Sequence, residues 1–444
     1  MVRPLAFVTL AALAAPAEAD GLVIESGSPR DIGRAGTGTV GDDGGGALLV
    51  NPAAMARRDT TRVQVGAAIV DDNVDFHPNL PDTPRARDQA GSSVLPLVSA
   101  EMALGGWIVG AGAMTSAASD RALASPSDFP ASELGNRFEY RYAGISSSLR
   151  RDTVAIGAAR RIGEDVAFGI AASASRVSIA EDRRVWAGFA GRESVGDPNH
   201  DVDLAMSADD PFSPSVVAGV LVAPPDTRIE LAASIAWARA AHATGTVSAT
   251  GTPGEVSTQV LSPTASITVR EPVTARIGAR WLGSRWIAEV GGDLWMMPST
   301  DERWALGDVR VIDATGVSAD LTSVESRLAP RMQGAVRAAV DVELVSGYLW
   351  VTAGYAFTTS GTADDRLSPT FGDLGGHTLA LGLETSAAGM TISLGWARQW
   401  SIARTVTATD WLHDNPFAAG DGPIATGSYD ASRDLVGIAI DAEL

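Results

Sequence analysis

The chain has no cysteine, no lysine and no apolar run long enough to cross a membrane as a helix. Without cysteine an exported domain of 444 residues gets no disulfides and must hold itself by hydrogen bonding and packing. Without lysine there is no Walker A phosphate loop, so all 34 basic residues are arginine. They face 53 acidic ones, and the net charge of −19 argues against a nucleic-acid partner. Aromatic residues are scarce, at 6%. What the chain does have is 47 glycines, 23 prolines and 45% hydrophobic residues, mostly spread over short alternating segments.

The first residues read as an export signal. Arg3 supplies a one-charge start, residues 5–14 a short apolar stretch, and Ala17-Glu18-Ala19 a small-residue cleavage site. The apolar stretch is shorter than the ~18 residues that a membrane span needs. A leader over 1–19 is expected, followed by a segment over 20–60 and a barrel over 61–444.

Residues 33–54 are mostly glycine, alanine, small polar groups and two adjacent aspartates, Asp42 and Asp43, running through Ala47-Leu48-Leu49-Val50 and closing on Asn51-Pro52-Ala53. So much glycine permits close backbone approach, and Pro52 biases Asn51 towards an extended conformation. Such a segment has no core of its own, so something must enclose it. Within it, Gly36-Thr37-Gly38-Thr39-Val40-Gly41 satisfies GxGxxG, but a dinucleotide site needs a helix after the glycines. Asp-Asp-Gly-Gly-Gly follows instead, which neither starts a helix nor welcomes a pyrophosphate.

After residue 60, segments with a period of two recur fourteen times. They lie near 61–71, 93–103, 106–116, 140–161, 165–180, 213–223, 227–248, 262–282, 285–297, 330–344, 347–358, 375–386, 389–403 and 432–444. The fourth is interrupted by Arg150-Arg151-Asp152. From residue 103 the connections alternate: tight turns such as Leu104-Gly105 and Gly283-Ser284, then long polar stretches such as 181–212 and 298–329. A soluble sandwich has no reason to sort its loops in this way. An outer-membrane barrel does, with short turns in the periplasm and long loops outside. The expected fold is an all-β, fourteen-stranded antiparallel transmembrane barrel, even in number so that the sheet closes without an edge. Trp107, Trp237, Trp281, Trp286, Trp350, Trp396 and Trp400 fall at or near strand ends, as an aromatic girdle requires. Inward faces carry both signs: Arg276 and Arg280 on one strand, Glu289 and Asp293 on the next, and Arg337 with Asp341 further on. The turn at Gly283-Ser284 puts the first four in diagonal reach, as structural pairs that position the enclosed segment.

Catalytic signals are weak. The five histidines, His77, His200, His242, His377 and His413, form no local metal motif, and there is no GxSxG. The aspartate pairs 42–43, 71–72, 209–210 and 364–365 lack calcium-ligand spacing and read as solvated turns. No metal, cofactor or catalytic residue is assigned, and an enzyme is not expected.

Gly33-Arg34-Ala35-Gly36, the Asp42-Asp43 run and Asn51-Pro52-Ala53, in this order behind a leader, resemble the N-terminal plug of FadL/TodX-type outer-membrane transporters. The resemblance implies a plug inside the barrel and passive uptake of a hydrophobic small molecule, a long-chain fatty acid or similar. In that family the ligand is captured among outer loops, passes beside the plug and leaves sideways through a gap made by a kink in the third strand. Here the kink falls to Ser116, Ala117, Ala118 and Ser119, whose small side chains let a strand bend. The alternative is that 116–119 simply begins the outer loop. The stretch has no glycine, and the chain ends on Leu444 where many such barrels end on phenylalanine. The implied setting is the outer membrane of a Gram-negative bacterium. The implied partners are the ligand, outer-membrane lipid, lipopolysaccharide and the barrel-insertion machinery, for a monomer without cofactors. A polar-solute porin, which needs an open lumen, and an outer-membrane lipid hydrolase, which needs a serine and histidine paired on the wall, are the two other classes.

Overall fold

Strand β1 (Arg62–Pro78) hydrogen-bonds on one side to β2 (Ser93–Leu104) and on the other to the last strand, β14 (Gly427–Glu443), so the sheet closes on itself. The computed structural model describes residues 28–42, 44–79, 85–123, 141–189, 197–297, 302–417 and 423–444. The leader expected over 1–19 and Asp43 lie outside them.

Between these ends run β3 (Trp107–Ala122), β4 (Ser146–Ile162), β5 (Val166–Trp186) and β6 (Asp201–Val222). The next four strands are each built in pieces. They are β7 (Ile229–Ala238 and Ala241–Gly251), β8 (Val256–Val260, Thr264–Val269 and Val273–Leu282), β9 (Trp286–Met296 and Arg303–Asp313) and β10 (Ser318–Glu325 and Gln333–Val345). Then come β11 (Leu349–Thr358), β12 (Gly376–Ala387) and β13 (Met390–Ser401). Neighbours pair antiparallel in chain order, which makes a closed fourteen-stranded barrel. Closure satisfies the strand backbone groups within hydrocarbon, where each unpaired one costs several kcal/mol.

Alternation sets the faces. Leu379, Leu381 and Leu383 are 49%, 55% and 40% exposed, while Ala380 between them is buried. Of the seven tryptophans expected at the girdle, Trp237, Trp281, Trp286, Trp396 and Trp400 are exposed, and Trp107 and Trp350 are half-buried. The other four, Trp186, Trp295, Trp304 and Trp411, are buried.

Beyond the membrane the structure departs from the long polar loops expected. Strands β5 to β10 continue outward, and their inner faces close on Val185, Leu204, Met206, Val247, Ile267, Trp304 and Val311 as one apolar core. Their outer faces carry ion pairs instead of leucine: Arg176 with Asp209 at 2.9 Å and Arg310 with Asp320 at 2.9 Å. Period two persists there, but with water on the outer side, so the lipid-facing signal that marks a spanning strand disappears. The edge of the hydrocarbon band is visible on β4, where Val154 is 64% exposed and the next outward residue is Asp152.

Candidate functional site

Residues 28–42 and 44–58 form a short chain of turns with two helices of four residues, α1 (Pro29–Ile32) and α2 (Ala47–Val50), then a 3-10 stretch over Pro52–Arg57. Ala35 (φ 52°) and Gly36 (φ 77°) take the left-handed region, which turns the chain sharply after Arg34. The side chain of Arg34 then enters a carboxylate nest on the barrel wall. Its Nη2 donates to Glu289 Oε2 at 2.6 Å and its Nη1 pairs with Asp341. Glu289 also accepts the backbone N–H groups of Val40 (2.9 Å) and Gly41 (3.3 Å) through Oε1. One wall carboxylate thus holds a plug arginine and a plug turn together.

The other lumen charges belong to the same seat. Arg337 donates to Asp293 Oδ2 at 2.6 Å and to the carbonyl of Ala35 at 2.7 Å. Arg276 lies 3.8 Å from Asp293. The register sets Arg276 opposite Asp293 and Arg280 opposite Glu289, so these pairs face directly and not on the diagonal expected. Arg280 instead reaches Glu230 at 3.6 Å, a carboxylate that Arg57 of the plug grips with both Nη atoms at 2.9 and 2.7 Å. At α1, burial and then the carboxylate of Asp42 push Asp31 well above the usual carboxylate range.

Asn51 and Pro52 fit the opposite wall. Asn51 Nδ2 donates to Thr39 O at 2.8 Å, and its Oδ1 caps the 3-10 turn by accepting Ala53 N at 3.2 Å. A Cβ on Gly219 of β6 would occupy the place of Asn51 Oδ1, and one on Gly169 of β5 would overlap the Pro52–Ala53 peptide. On β8, a Cβ on Gly278 would stand 2.7 Å from Val40 Cγ2. Glycines at lumen positions of several strands therefore let the plug backbone lie against the wall. Isolated glycine inside a strand pattern is the sequence signal of such an approach.

Above the plug lies a cavity of ≈ 170 Å³, against the about 10–15 Å³ that one water needs on the same measure. Its floor is Pro29, Ile32, Leu49 and Val50 of the plug. Leu95, Leu97, Met114, Leu149, Val177, Val217, Val269 and Trp295 supply apolar walls. One side is hydroxylic: Ser116 Oγ lies 2.8 Å from Thr153 Oγ1, which lies 2.8 Å from Ser175 Oγ. Arg151 of β4 spans the cavity to Glu271, just before the inner piece of β8, at 2.6 Å. Nothing local in the sequence joins these two residues, which lie 120 positions apart. A second cavity, ≈ 220 Å³, lies on the periplasmic side and is polar, with Arg30, Arg58, Arg280, Asp341 and Glu384 among its lining.

The wall of the first cavity is interrupted between β2 and β3. Their ladder runs from Leu104↔Trp107 up to Leu97↔Met114 and stops, although β2 begins at Ser93 and β3 continues to Ala122. Among the described residues, hydrogen bonding between the two strands resumes where Ser93 Oγ donates to Asp120 Oδ2 at 2.5 Å. The cavity reaches Pro96 and Ser116 on the two sides of this interval. Within it the β3–β4 register shifts between Thr115 and Ala117, leaving Ser116 as the extra residue of a bulge. Below the bulge Met114, Gly112 and Gly110 face the lumen; above it Ser119 and Arg121 do, reaching Asp72 of β1 at 3.2 and 3.3 Å. Ala117 opposes Arg151, and Ala118 opposes Arg150. Residues 116–119 are thus part of a strand.

At the mouth, buried contacts tie the outer segments together. Arg327 donates to Tyr142 O at 2.9 Å and to Asp414 at 3.1 Å, over the face of Trp411. Burial, and then the neighbouring Arg183, lowers Arg327 to about 10. His242 Nδ1 meets Thr268 Oγ1 at 3.1 Å and His377 Nδ1 meets the Tyr355 hydroxyl at 2.9 Å, both on exposed faces. Among the described residues no group of three His, Cys, Asp or Glu side chains is placed to hold a metal ion.

Residues 10–289 match the outer membrane protein transport protein family (OMPP1/FadL/TodX). Three solved structures share the fold. A FadL homologue of Pseudomonas aeruginosa superposes with a TM-score of 0.73 at 13% identity, covering 95% of this chain and 99% of its own. The toluene transporter TodX of P. putida gives 0.68 at 15% identity, and the toluene transporter TbuX of Ralstonia pickettii 0.66 at 12%. Each covers 95% of this chain and 99% of the neighbour. No curated protein matches the sequence.

Proposed function

Because the chain belongs to the outer membrane protein transport protein family (OMPP1/FadL/TodX), a family of outer-membrane channels for hydrophobic compounds, we propose that it takes up long-chain fatty acids or similar aliphatic molecules by passive diffusion. The ligand is captured among the outer segments, enters the cavity above the plug and leaves sideways between β2 and β3. The observation that carries this reading is the interval between Leu97↔Met114 and Ser93–Asp120, where the cavity meets Pro96 and Ser116. A lipopolysaccharide leaflet resists apolar solutes, and a lined path with a side exit avoids carrying them through water. No energy source is needed beyond the gradient. The toluene transporters among the structural neighbours point to aromatic hydrocarbons as the other substrate class. The lining favours an aliphatic chain, because among the described residues its aromatic side chains are Trp237 and Trp295 alone. A polar-solute porin is disfavoured by the wall carboxylates and arginines that bind the plug across the lumen.

The test uses the absence of native cysteine. Pro96→Cys and Ser116→Cys, bridged by a bifunctional maleimide, should abolish uptake of a labelled fatty acid, while either single variant treated alike transports normally. Full uptake by the bridged protein rules out the side exit.

A further inference from the structure

Beside the side opening, β4 presents two consecutive arginines to the far edge of β3, opposite Ala118 and Ala117, and they face opposite ways. Arg151 points inward and spans the cavity to Glu271. Arg150 is 40% exposed on the outer face, paired with Asp152, which is 47% exposed. All three of its guanidinium nitrogens donate. Nε donates to the two Asp152 oxygens at 3.1 and 3.0 Å, Nη2 to Thr115 Oγ1 at 2.9 Å, and Nη1 to the carbonyl of Val94 at 3.3 Å. Thr115 Oγ1 donates in turn to Asp152 at 2.6 Å.

Those partners lie on three different strands. Asp152 is on β4, Thr115 begins the unladdered part of β3, and Val94 lies in the unladdered part of β2. Resting on the lateral route proposed above, we propose that Arg150 is the positioning residue of that route: an external strap that ties β2 to β3 across the opening and must let go when a ligand passes.

The physical case has three parts. First, Val94 lies beyond the end of the β2–β3 ladder, so β3 gives its carbonyl no ladder partner. Arg150 gives the Val94 carbonyl a donor without restoring the ladder. Second, the strap sits where a charge is tolerated. Thr115 pairs with Asp152, one row above the lipid-exposed Val154, at the rim of the hydrocarbon band. A guanidinium there keeps its head at the polar boundary while its stem lies on the wall. Third, the contact to β2 is the weak one. At 3.3 Å to a neutral carbonyl it is longer than the contacts to Asp152 and Thr115, so the hold on β2 breaks first and the anchor stays on β4. Thr115 faces out beside Arg150 yet is 7% exposed, which is what a strap lying over it produces.

The experiment reads opening directly. Ser116→Cys serves as the probe, labelled by a lipid-soluble maleimide in liposomes, alone or together with Arg150→Ala or Arg150→Lys. Arg150→Ala should raise the labelling rate about three- to tenfold, the range expected from losing the one hydrogen bond to Val94. Arg150→Lys, which keeps the charge but not the planar fork, should fall between. Heat-modifiable gel mobility reports that each barrel is folded. Labelling of Arg150→Ala at the unsubstituted rate overturns the strap. If the protein bridged between positions 96 and 116 still transports, the lateral route has failed; if bridging blocks uptake while Arg150→Ala labels no faster, the strap alone has failed.

Discussion

Arg34 of the plug donates to Glu289 of β9 at 2.6 Å, and the two side chains are 1% and 0% exposed. A charge so placed has no water to fall back on, and removing one partner of a buried pair costs about 3–5 kcal/mol. Glu289→Ala should therefore release the plug: it takes one carboxylate from Arg34 and the acceptor from Val40 and Gly41. The barrel ladder does not depend on that side chain. The expected outcome is a folded barrel by gel mobility with a new ion conductance in planar bilayers. A silent Glu289→Ala channel would show that the plug is held elsewhere.

Asn51 and Gly219 make a second, independent hold. Asn51→Ala loses the bond to Thr39 O and the cap on Ala53, together about 1–2 kcal/mol. Gly219→Ala attacks the same seat from the wall, since its new methyl group takes the place of Asn51 Oδ1. Both variants should leave assembly intact, make the plug more sensitive to added protease and lower uptake. Agreement between them is the check: if Gly219→Ala alone perturbs the protein, the fault lies in the strand and not in the plug.

The strands were legible because lipid on one face and lumen on the other impose a strict period of two. The segment expected inside the barrel touches its wall through Arg34, Asn51 and Pro52, residues that stand out in a glycine-rich stretch. The outer extension was not, because Asp203 and Arg176 stand where a spanning strand would carry an apolar side chain. Cross-lumen partners such as Arg151 and Glu271 were also hidden. Local register pairs neighbours on adjacent strands, but nothing local says which residues meet across a closed barrel. The charges of Arg150-Arg151-Asp152 looked like a break in β4, yet the strand runs through them with alternate side chains at an interface and in a cavity.

Asp373, in the outer segment before β12, should make stability at the mouth depend on pH. Burial pushes its carboxyl up to about 6, against the pull of the Gly375 and Gly361 N–H groups and of Arg433 and Arg121. The folded state therefore binds this proton more tightly than the unfolded chain does. Between the ordinary value of 3.8 and about 6 stability falls as pH rises; above that it levels off. Asp373→Asn, neutral throughout, should flatten this segment of the profile in denaturant midpoints measured from pH 4 to 7. An unchanged profile would assign the dependence to another group.

Deleting Ser116 tests whether the bulge makes the opening. At present Thr115 opposes Asp152 and Ala117 opposes Arg151, with Ser116 extra between them. Removing it makes the β3–β4 register continuous, so the upper part of β3 no longer turns inward towards Asp72 and runs on beside β2. Pro96 still offers no N–H, but the carbonyls around it gain a strand edge to pair with. Uptake of a fatty acid should then fall about tenfold or more, on the order of what loss of one or two hydrogen-bond equivalents of opening free energy produces. Ala117→Val with Ala118→Val is the milder form: β-branched side chains favour a regular strand without removing the extra residue, so uptake falls less. The order matters more than either value. Deletion below the valine pair, and the valine pair below the parent, ties transport to the shape of β3. A folded deletion variant that transports at the full rate would leave the bulge as a feature of the wall alone.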